Sequence, residues 1–497
     1  MPSSLSAHPR LSGLLPALGF FSTTMLVAGG VIGSGIFRKP GVMAAQLGSP
    51  TALLGIWVVA GVMTLLGALS TAELAAAIPE TGGTYVYFER LYGPFAAFLY
   101  GWATFVVIQT GSITAVCYVF AEHAAQLLPI TAVFDVDSTF RIHLPYLGDI
   151  VPLRDLGVKM IAACVIAGLT FVNYLGVKFG GVLQNVVTLI KVSTMVGLVL
   201  LVFLPPTSAD ASGLVGAREG QPAGWAWWAA CAAALQGAFW AYDGWNKVTY
   251  IAGEVKEPQT NLPRALLWGM GLVTLLYVAM NVAYAQVLTI DEMSRSKLVA
   301  ADVAERCLTH GGRWIAVAVM ISTFGAANAI ILASARVYLT MAERGVFPAV
   351  LGRIHPRFHT PGAALLAQGF WGVILLFSGT FDMLTDTLIF VSWIFYAAAA
   401  WGVILLRRRE PDLPRPYRVP GYPWVPAVFI AFAVLYLVLT LRNDVMGYQE
   451  AAAAGRPALI NSLFGLVLVL AGTPIYWFYR RRQRKLTQGG SQIVAGS

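Results

Sequence analysis

Apolar runs of roughly 20 residues recur along nearly the whole of this 497-residue chain, and no other feature constrains its fold so strongly. A helix needs about that many residues to cross ~30 Å of hydrocarbon, and in lipid every backbone N–H and C=O must find its partner inside the protein. Twelve such runs can be drawn, at approximately 17–46, 50–78, 94–128, 154–175, 181–205, 225–252, 264–289, 313–342, 361–380, 383–406, 423–441 and 458–479. With 57% hydrophobic and 11% charged residues, the composition excludes an ordinary soluble globular domain. The expectation is an all-α membrane protein of about 12 transmembrane helices. Its first run reads as a retained span, because no small-residue cleavage site follows it.

The formal charge of +9 invites a nucleic-acid reading, but the basic residues cluster in short connections such as Arg407, Arg408, Arg409, Arg415 and Arg418. With a cytoplasmic N-terminus, about 18 Lys and Arg fall inside against about 9 outside, which satisfies the positive-inside rule and puts both termini in the cytoplasm. Nucleic acid is therefore not expected, and a multi-pass protein of the cell membrane is. The basic tail Arg480, Arg481, Arg482, Arg484 and Lys485 reads as a stop anchor.

Reactive side chains are sparse. Cysteines 117, 164, 231 and 307 show no metal-ligand spacing and read as small hydrophobes. His355 and His359 flank Pro356 without further ligands, so neither metal nor another cofactor is expected. Glu73, Glu80, Glu89 and Arg90 read as solvated anchor or gate charges of the second connection. No HExxH, GxSxG or paired catalytic carboxylates occur in the spans, which argues against an enzyme.

Two spans are interrupted. VIGSGIF places Gly33, Ser34 and Gly35 in the middle of the first, and FWAYDGWNK places Asp243, Gly244 and Asn246 in the sixth. Each break frees backbone groups that lipid cannot satisfy, and a mid-span carboxylate must face a partner or a cavity. Breaks in the first and sixth of twelve spans fit two inverted repeats of five helices, at 17–205 and 225–406, with two helices added at 423–479. Short tails at 1–16 and 480–497 complete this division. A substrate would sit between the breaks, with helix N-termini meeting an anion and freed carbonyls a cation. An α-amino acid fits; on the residues alone, other small polar solutes remain open. Lys191 in NVVTLIKVSTM cannot snorkel from mid-helix, so its ammonium is expected to face the protein interior.

Several stretches resemble one family. VIGSGIF followed by KPGVMAAQLGSP, GALSTAELAAAIPETGGTYVYFERLYG (67–93), AYDGWNKVTYIAGEVKEPQTNLPRAL (241–266), FGAANAIILASARVYLTMAERGVFP (324–348) and RRREPDLPRPYRVP (407–420) are similar to the L-type amino acid transporters of the amino acid, polyamine and organocation superfamily. The resemblance implies a LeuT-type fold and Na⁺-independent amino acid exchange by alternating access. It implies that Gly33, Ser34 and Gly35 offer N–H groups to the substrate carboxylate. Carbonyls near Val31, Ile32, Trp240, Ala241 and Asp243 would then hold the ammonium, with Trp240 closing over the substrate. Asn246 belongs to the same set. Lys191 would replace a sodium ion as a tie between the fifth span, the Gly33 region and Ser334. Asn328 matches a position near the site, where an interhelical hydrogen bond is the competing reading, and Ser112 and Thr114 are candidates for the side-chain pocket.

Substrate class is left less decided. Asp243 stands where relatives selective for neutral substrates carry glycine and where a branch that also takes cationic amino acids carries an acid; the competing readings are a pair with Lys247 or acceptance of N–H bonds freed by the break. Neutral amino acids are the main expectation, with cationic substrates or proton-coupled symport as alternatives. Animal relatives use a cysteine between spans three and four to bond a glycoprotein partner. Residues 129–153 contain none here, so the lipid bilayer and the amino acid substrate are the expected partners and a monomer the expected state.

Overall fold

The computed structural model describes residues 18–127, 140–144, 148–176, 180–203, 221–378, 381–455 and 458–482. The N-terminal stretch 1–16, Arg484 and Lys485 lie outside them. Helices α1 (Phe20–Val31) and α2 (Gly35–Leu47) form the first, broken span. At its end Gly48 adopts φ 60°, Ser49 Oγ accepts from Ala52 N, and Pro50 opens α3 (Pro50–Ala77) at a position where its missing N–H costs nothing. Next come α4 (Thr84–Tyr92), α5 (Pro94–Ala103) and α6 (Gln109–Leu127), the last two joined by a π-helical turn, Thr104–Ile108. A small antiparallel hairpin, Ile142–Leu144 with Gly148–Ile150, precedes α7 (Leu156–Leu175) and α8 (Gly180–Phe203).

The second half opens with α9 (Trp225–Tyr242), which gives way to a 3₁₀ segment, Trp245–Glu254, and then α10 (Pro258–Val287). Short helices α11 (Ile290–Arg295) and α12 (Val299–Cys307) lead into α13 (Gly311–Glu343), α14 (Gly362–Leu376), α15 (Phe381–Arg409), α16 (Trp424–Ala453) and α17 (Asn461–Leu470). A capping box of Thr289 and Glu292 opens α11, where the Arg306 guanidinium holds the Glu292 carboxyl down to about 2. Among the described residues ten helices are long and apolar enough to cross a membrane. The expected sixth and ninth runs appear as α9, cut at Asp243, and α14, only 15 residues long.

Burial separates an inner bundle from its casing. The third span is 89% buried and α15 72%, whereas α16 is 28% buried and exposes Trp424 and Val438, as a lipid-facing helix does. At the core, α3 packs on α10, α6 on α13, α2 on α9, and α1 on both α10 and α8.

Glu73 departs from the expected solvated role. It is fully buried, receives two bonds from Arg407 at 2.8 and 2.7 Å, and accepts Val419 N at 2.7 Å. A bidentate guanidinium is what makes a buried carboxylate tolerable, and here it ties α3 and α15 to the segment before α16. His355 has a structural setting, with Nδ1 accepting from Arg357 N and Phe358 N and its ring edge-on to Tyr174 of α7 at 5.4 Å. Of the cysteines only Cys117 is fully buried, and Cys164 is exposed.

Candidate functional site

The site begins with what the chain cannot do at residues 32–34. α1 ends as Ile32 turns to φ −68°, ψ 95°, and α2 starts afresh at Gly35 without a side-chain cap. The first turn of α2 therefore presents N–H groups that no helical carbonyl meets, at the positive end of its dipole. Opposite, α9 ends at Tyr242, Asp243 is extended (φ −70°, ψ 153°), and Gly244 takes φ 109°, a conformation that side-chain-bearing residues rarely adopt.

The two breaks cross in contact. A Cβ on Gly35 would lie 2.5 Å from Ala241 Cα, and one on Gly244 would lie 2.6 Å from the Gly30 carbonyl oxygen. Gly33 differs, since the nearest atom a Cβ there would meet is the Val31 carbonyl oxygen at 3.8 Å, an ordinary contact distance. Gly33 thus faces free space, while Gly35 and Gly244 are contact points.

That space is a cavity between α1, α2, α6, α9 and α13, lined by Gly33, Ser34, Ser112, Trp240, Asp243 and Lys247 among others. Three lining atoms, Ser34 Oγ, Ser112 Oγ and Trp240 Nε1, are buried without a hydrogen-bond partner in the protein. Buried polar atoms are rarely left so, and three converging on one cavity mark a place for a polar guest. On the α2 side the cavity is roofed by Trp240, whose ring meets Phe381 edge-on at 5.8 Å. Above Phe381 lie Arg38 and Lys39, at 4.4 and 5.0 Å from its ring centroid, and they pair with Glu122 and Asp382 respectively.

Residues 18–476 match the family model described as amino acid permease. The chain belongs to the amino acid permease family. This permease is 31% identical to the serine/threonine exchanger SteT of Bacillus subtilis (strain 168), over 96% of its own length and 99% of the relative's. It is 32% identical to the b(0,+)-type amino acid transporter 1 of Homo sapiens, over 87% of this chain and 84% of that one. The large neutral amino acids transporter small subunit 2 of Mus musculus is 29% identical, with 93% and 80% covered. The permease is accordingly a membrane transporter and not an enzyme, and the resemblance to L-type transporters holds over nearly the whole chain.

Of the residues singled out from the sequence, Val31, Gly33, Ser34, Gly35, Trp240 and Asp243 line the cavity together. Ile32 and Ala241 stand between lining residues in sequence but do not line it themselves. Lys191 reaches across from α8 and donates to the Gly29 and Ile32 carbonyls at 3.0 and 2.8 Å. Tyr277 Oη of α10 bridges the two breaks, 3.2 Å from Val31 O and 3.1 Å from Ala241 O, its one hydrogen shared between the two carbonyls. Four carbonyls at the breaks, those of Gly29, Val31, Ile32 and Ala241, thus already face a donor from the permease itself.

Other candidates lie behind the wall. Asn328 Oδ1 accepts from Asn173 on α7 at 2.7 Å. Ala326 and Ile330, which do line the cavity, share one helix face, and residue 328 lies half a turn from both. Ser334 Oγ lies 2.6 Å from Ile330 O and 2.8 Å from Gln368 Oε1, while the Lys191 ammonium donates to Gly29 O and Ile32 O. Asn246 Nδ2 donates to Tyr250 Oη at 3.2 Å. Thr114 bonds across to the Gly372 carbonyl on α14, whereas Ser112 faces the cavity.

Sequence reasoning did not single out Tyr277, Tyr396, Ala326 or Ile330. Tyr396 Oη donates to Asp243 Oδ1 at 2.6 Å, and Lys247 Nζ lies 3.6 Å from Asp243 Oδ2. A tyrosine or alanine in an apolar span carries no local signal of such a role; only the i, i+4 spacing of Asp243 and Lys247 was visible beforehand. Among the described residues no group of three or more His, Cys, Asp or Glu could hold a metal ion.

Proposed function

We propose that this permease exchanges neutral L-amino acids of small or medium size across the cell membrane by alternating access, without sodium and with both termini cytoplasmic. The observation that carries this reading is the cavity between two facing breaks, where Ser34 Oγ, Ser112 Oγ and Trp240 Nε1 lack protein partners. The N–H groups of Gly33, Ser34 and Gly35 hold the substrate carboxylate at the α2 N-terminus. Carbonyls of Val31, Ile32, Trp240, Ala241 and Asp243 receive the ammonium, using the second lone pair where Tyr277 or Lys191 already donates. Trp240 closes over the side chain. Asn246, Asn328 and Ser334 brace this shell from behind, and Lys191 fixes the α1 end as a charge that needs no metal.

Meeting breaks at the first and sixth spans support the division into repeats 17–205 and 225–406, and the low burial of α16 and α17 supports treating 423–479 as added helices. Asp243, already met by Tyr396 and Lys247, favours neutral substrates, in keeping with a relative named for serine and threonine. One relative is named a small subunit. The absence of cysteine from 129–153 supports work here without a covalently bonded partner, as a monomer.

The test is uptake of labelled serine and leucine into proteoliposomes, loaded or not with unlabelled amino acid. Uptake is expected to require internal amino acid and to ignore sodium and pH gradients. Accumulation in empty vesicles under an inward proton gradient would replace exchange with proton-coupled symport. The folded Gly33→Val variant, whose added carbons fill open cavity, is expected to lose uptake; normal uptake would remove the proposed site.

A further inference from the structure

We infer that Lys247 is a built-in counter-cation that sets the charge specificity of the site, closing its side-chain end to lysine and arginine. The inference rests on the transport reading above and names a residue for its selectivity. Asp243 and Lys247 are both buried, at 6% and 7% exposure, and both line the cavity. Tyr396 occupies Asp243 Oδ1 at 2.6 Å, and the Lys247 ammonium lies 3.6 Å from Oδ2. Each carboxylate oxygen thus already faces a partner, and the negative charge is neutralised in place by the ammonium.

The break itself places the ammonium there. Gly244 at φ 109° turns the chain so that Lys247 N bonds Gly244 O at 3.2 Å, and the side chain folds back against the bare Gly244 Cα. A Cβ at Gly244 would sit 2.9 Å from Nζ, so the ammonium fills room that only glycine leaves. Lys191 and Lys247 together outweigh the single charge of Asp243 around the crossing. A third cation, brought in on a substrate side chain, would meet net positive charge in a low-dielectric pocket, or would have to displace Lys247 and strand it there. A neutral side chain encounters neither penalty.

A purely structural pair and a specificity device differ in what its removal does. Losing a structural pair weakens folding and leaves selectivity alone. Removing the counter-cation of a specificity device leaves Asp243 as an acceptor for a new cation. Inhibition of labelled leucine uptake by unlabelled arginine and by unlabelled leucine, in proteoliposomes of the full chain, reads this directly as a ratio of half-inhibitory concentrations.

In wild type the arginine-to-leucine ratio is expected to exceed about 100, and in Lys247→Gln to fall at least about tenfold, the scale on which close buried charge pairs act. Asp243→Asn with Lys247→Gln is expected to bring the ratio back up, because nothing then attracts the guanidinium. Folding is judged by a monodisperse size-exclusion peak, with Lys247→Met as the second single variant. A folded single variant that keeps the wild-type ratio overturns the proposal. A wild-type ratio near one also overturns it, and that arm decides alone if neither single variant folds. Leucine uptake that needs no internal amino acid would instead count against exchange, while the ratio continues to report on Lys247.

Discussion

The first break, around Ile32–Ser34, brings no charged side chain of its own, whereas the second carries an acid and a base within five residues, Asp243 and Lys247. The first is served from outside, by Lys191 from α8 and Tyr277 from α10, and it meets the cavity with backbone and one serine hydroxyl. The second supplies its own counter-charge, takes Tyr396 for its carboxylate and shares Tyr277 with the first. Backbone groups are common to every amino acid's recognition, because every α-amino acid has the same carboxylate and ammonium. Side-chain charges can discriminate. The difference therefore divides labour: the first break reads what all substrates share, and the second reads what distinguishes them.

Variants that separate the two breaks should have the largest effects. Gly35→Val forces a β-branched side chain against Ala241, whose Cα lies 2.5 Å from the nearest position a Cβ can take. Exchange is expected to fall by about 100-fold or more, since overpacking at a helix crossing moves backbone and not one flexible tip. Near-normal exchange by this variant would mean that the breaks need not touch.

Lys191→Ala comes next. It strips a donor from two buried carbonyls, Gly29 O and Ile32 O, and should slow exchange about tenfold or more while sodium independence persists. Counterflow rates set against equilibrium binding check the assignment. Weaker binding with normal turnover would make Lys191 a ligand-shell residue and erase the asymmetry between a served and a self-served break.

Trp240→Ala should raise the half-saturation for uptake about fivefold with a smaller change in maximal rate, because it removes one buried contact made equally to every substrate. An effect confined to large substrates would shift Trp240 from common lid to size filter. Tyr396→Phe is the mildest change. It deletes a 2.6 Å hydrogen bond to Asp243, worth about 1.5 to 3 kcal/mol to stability, but none to the substrate, so uptake of neutral substrates by the folded variant should change by about threefold or less. A gain of arginine inhibition in this variant would show that Tyr396, too, holds the carboxylate away from cationic guests.

Much of this was legible beforehand, for physical reasons that differ from residue to residue. Spans are visible because lipid demands runs of apolar residues, and the breaks are visible because Gly33, Ser34, Gly35, Asp243 and Gly244 contradict that demand locally. Lys191 stood out as a charge with nowhere to snorkel. Glu73 misled, because a carboxylate near a span end looks solvated until Arg407, 334 positions away in sequence, is seen to cover it. Asn328 matched a family position near the site, with an interhelical hydrogen bond as the competing reading, and helix geometry turns it to Asn173 while Ala326 and Ile330 face the cavity.

What the sequence determined by itself is therefore the membrane class, the approximate spans and the two places where helices must fail, all consequences of local hydropathy and backbone propensity. Only the tertiary structure decided which side chain answers each failure. Tyr277 closes on Val31 and Ala241, and Tyr396 on Asp243, across separations of 36 to 246 residues and 153 residues respectively. Such contacts depend on the crossing of whole helices, and in an apolar span a tyrosine that packs and a tyrosine that bridges two breaks have the same local sequence signature.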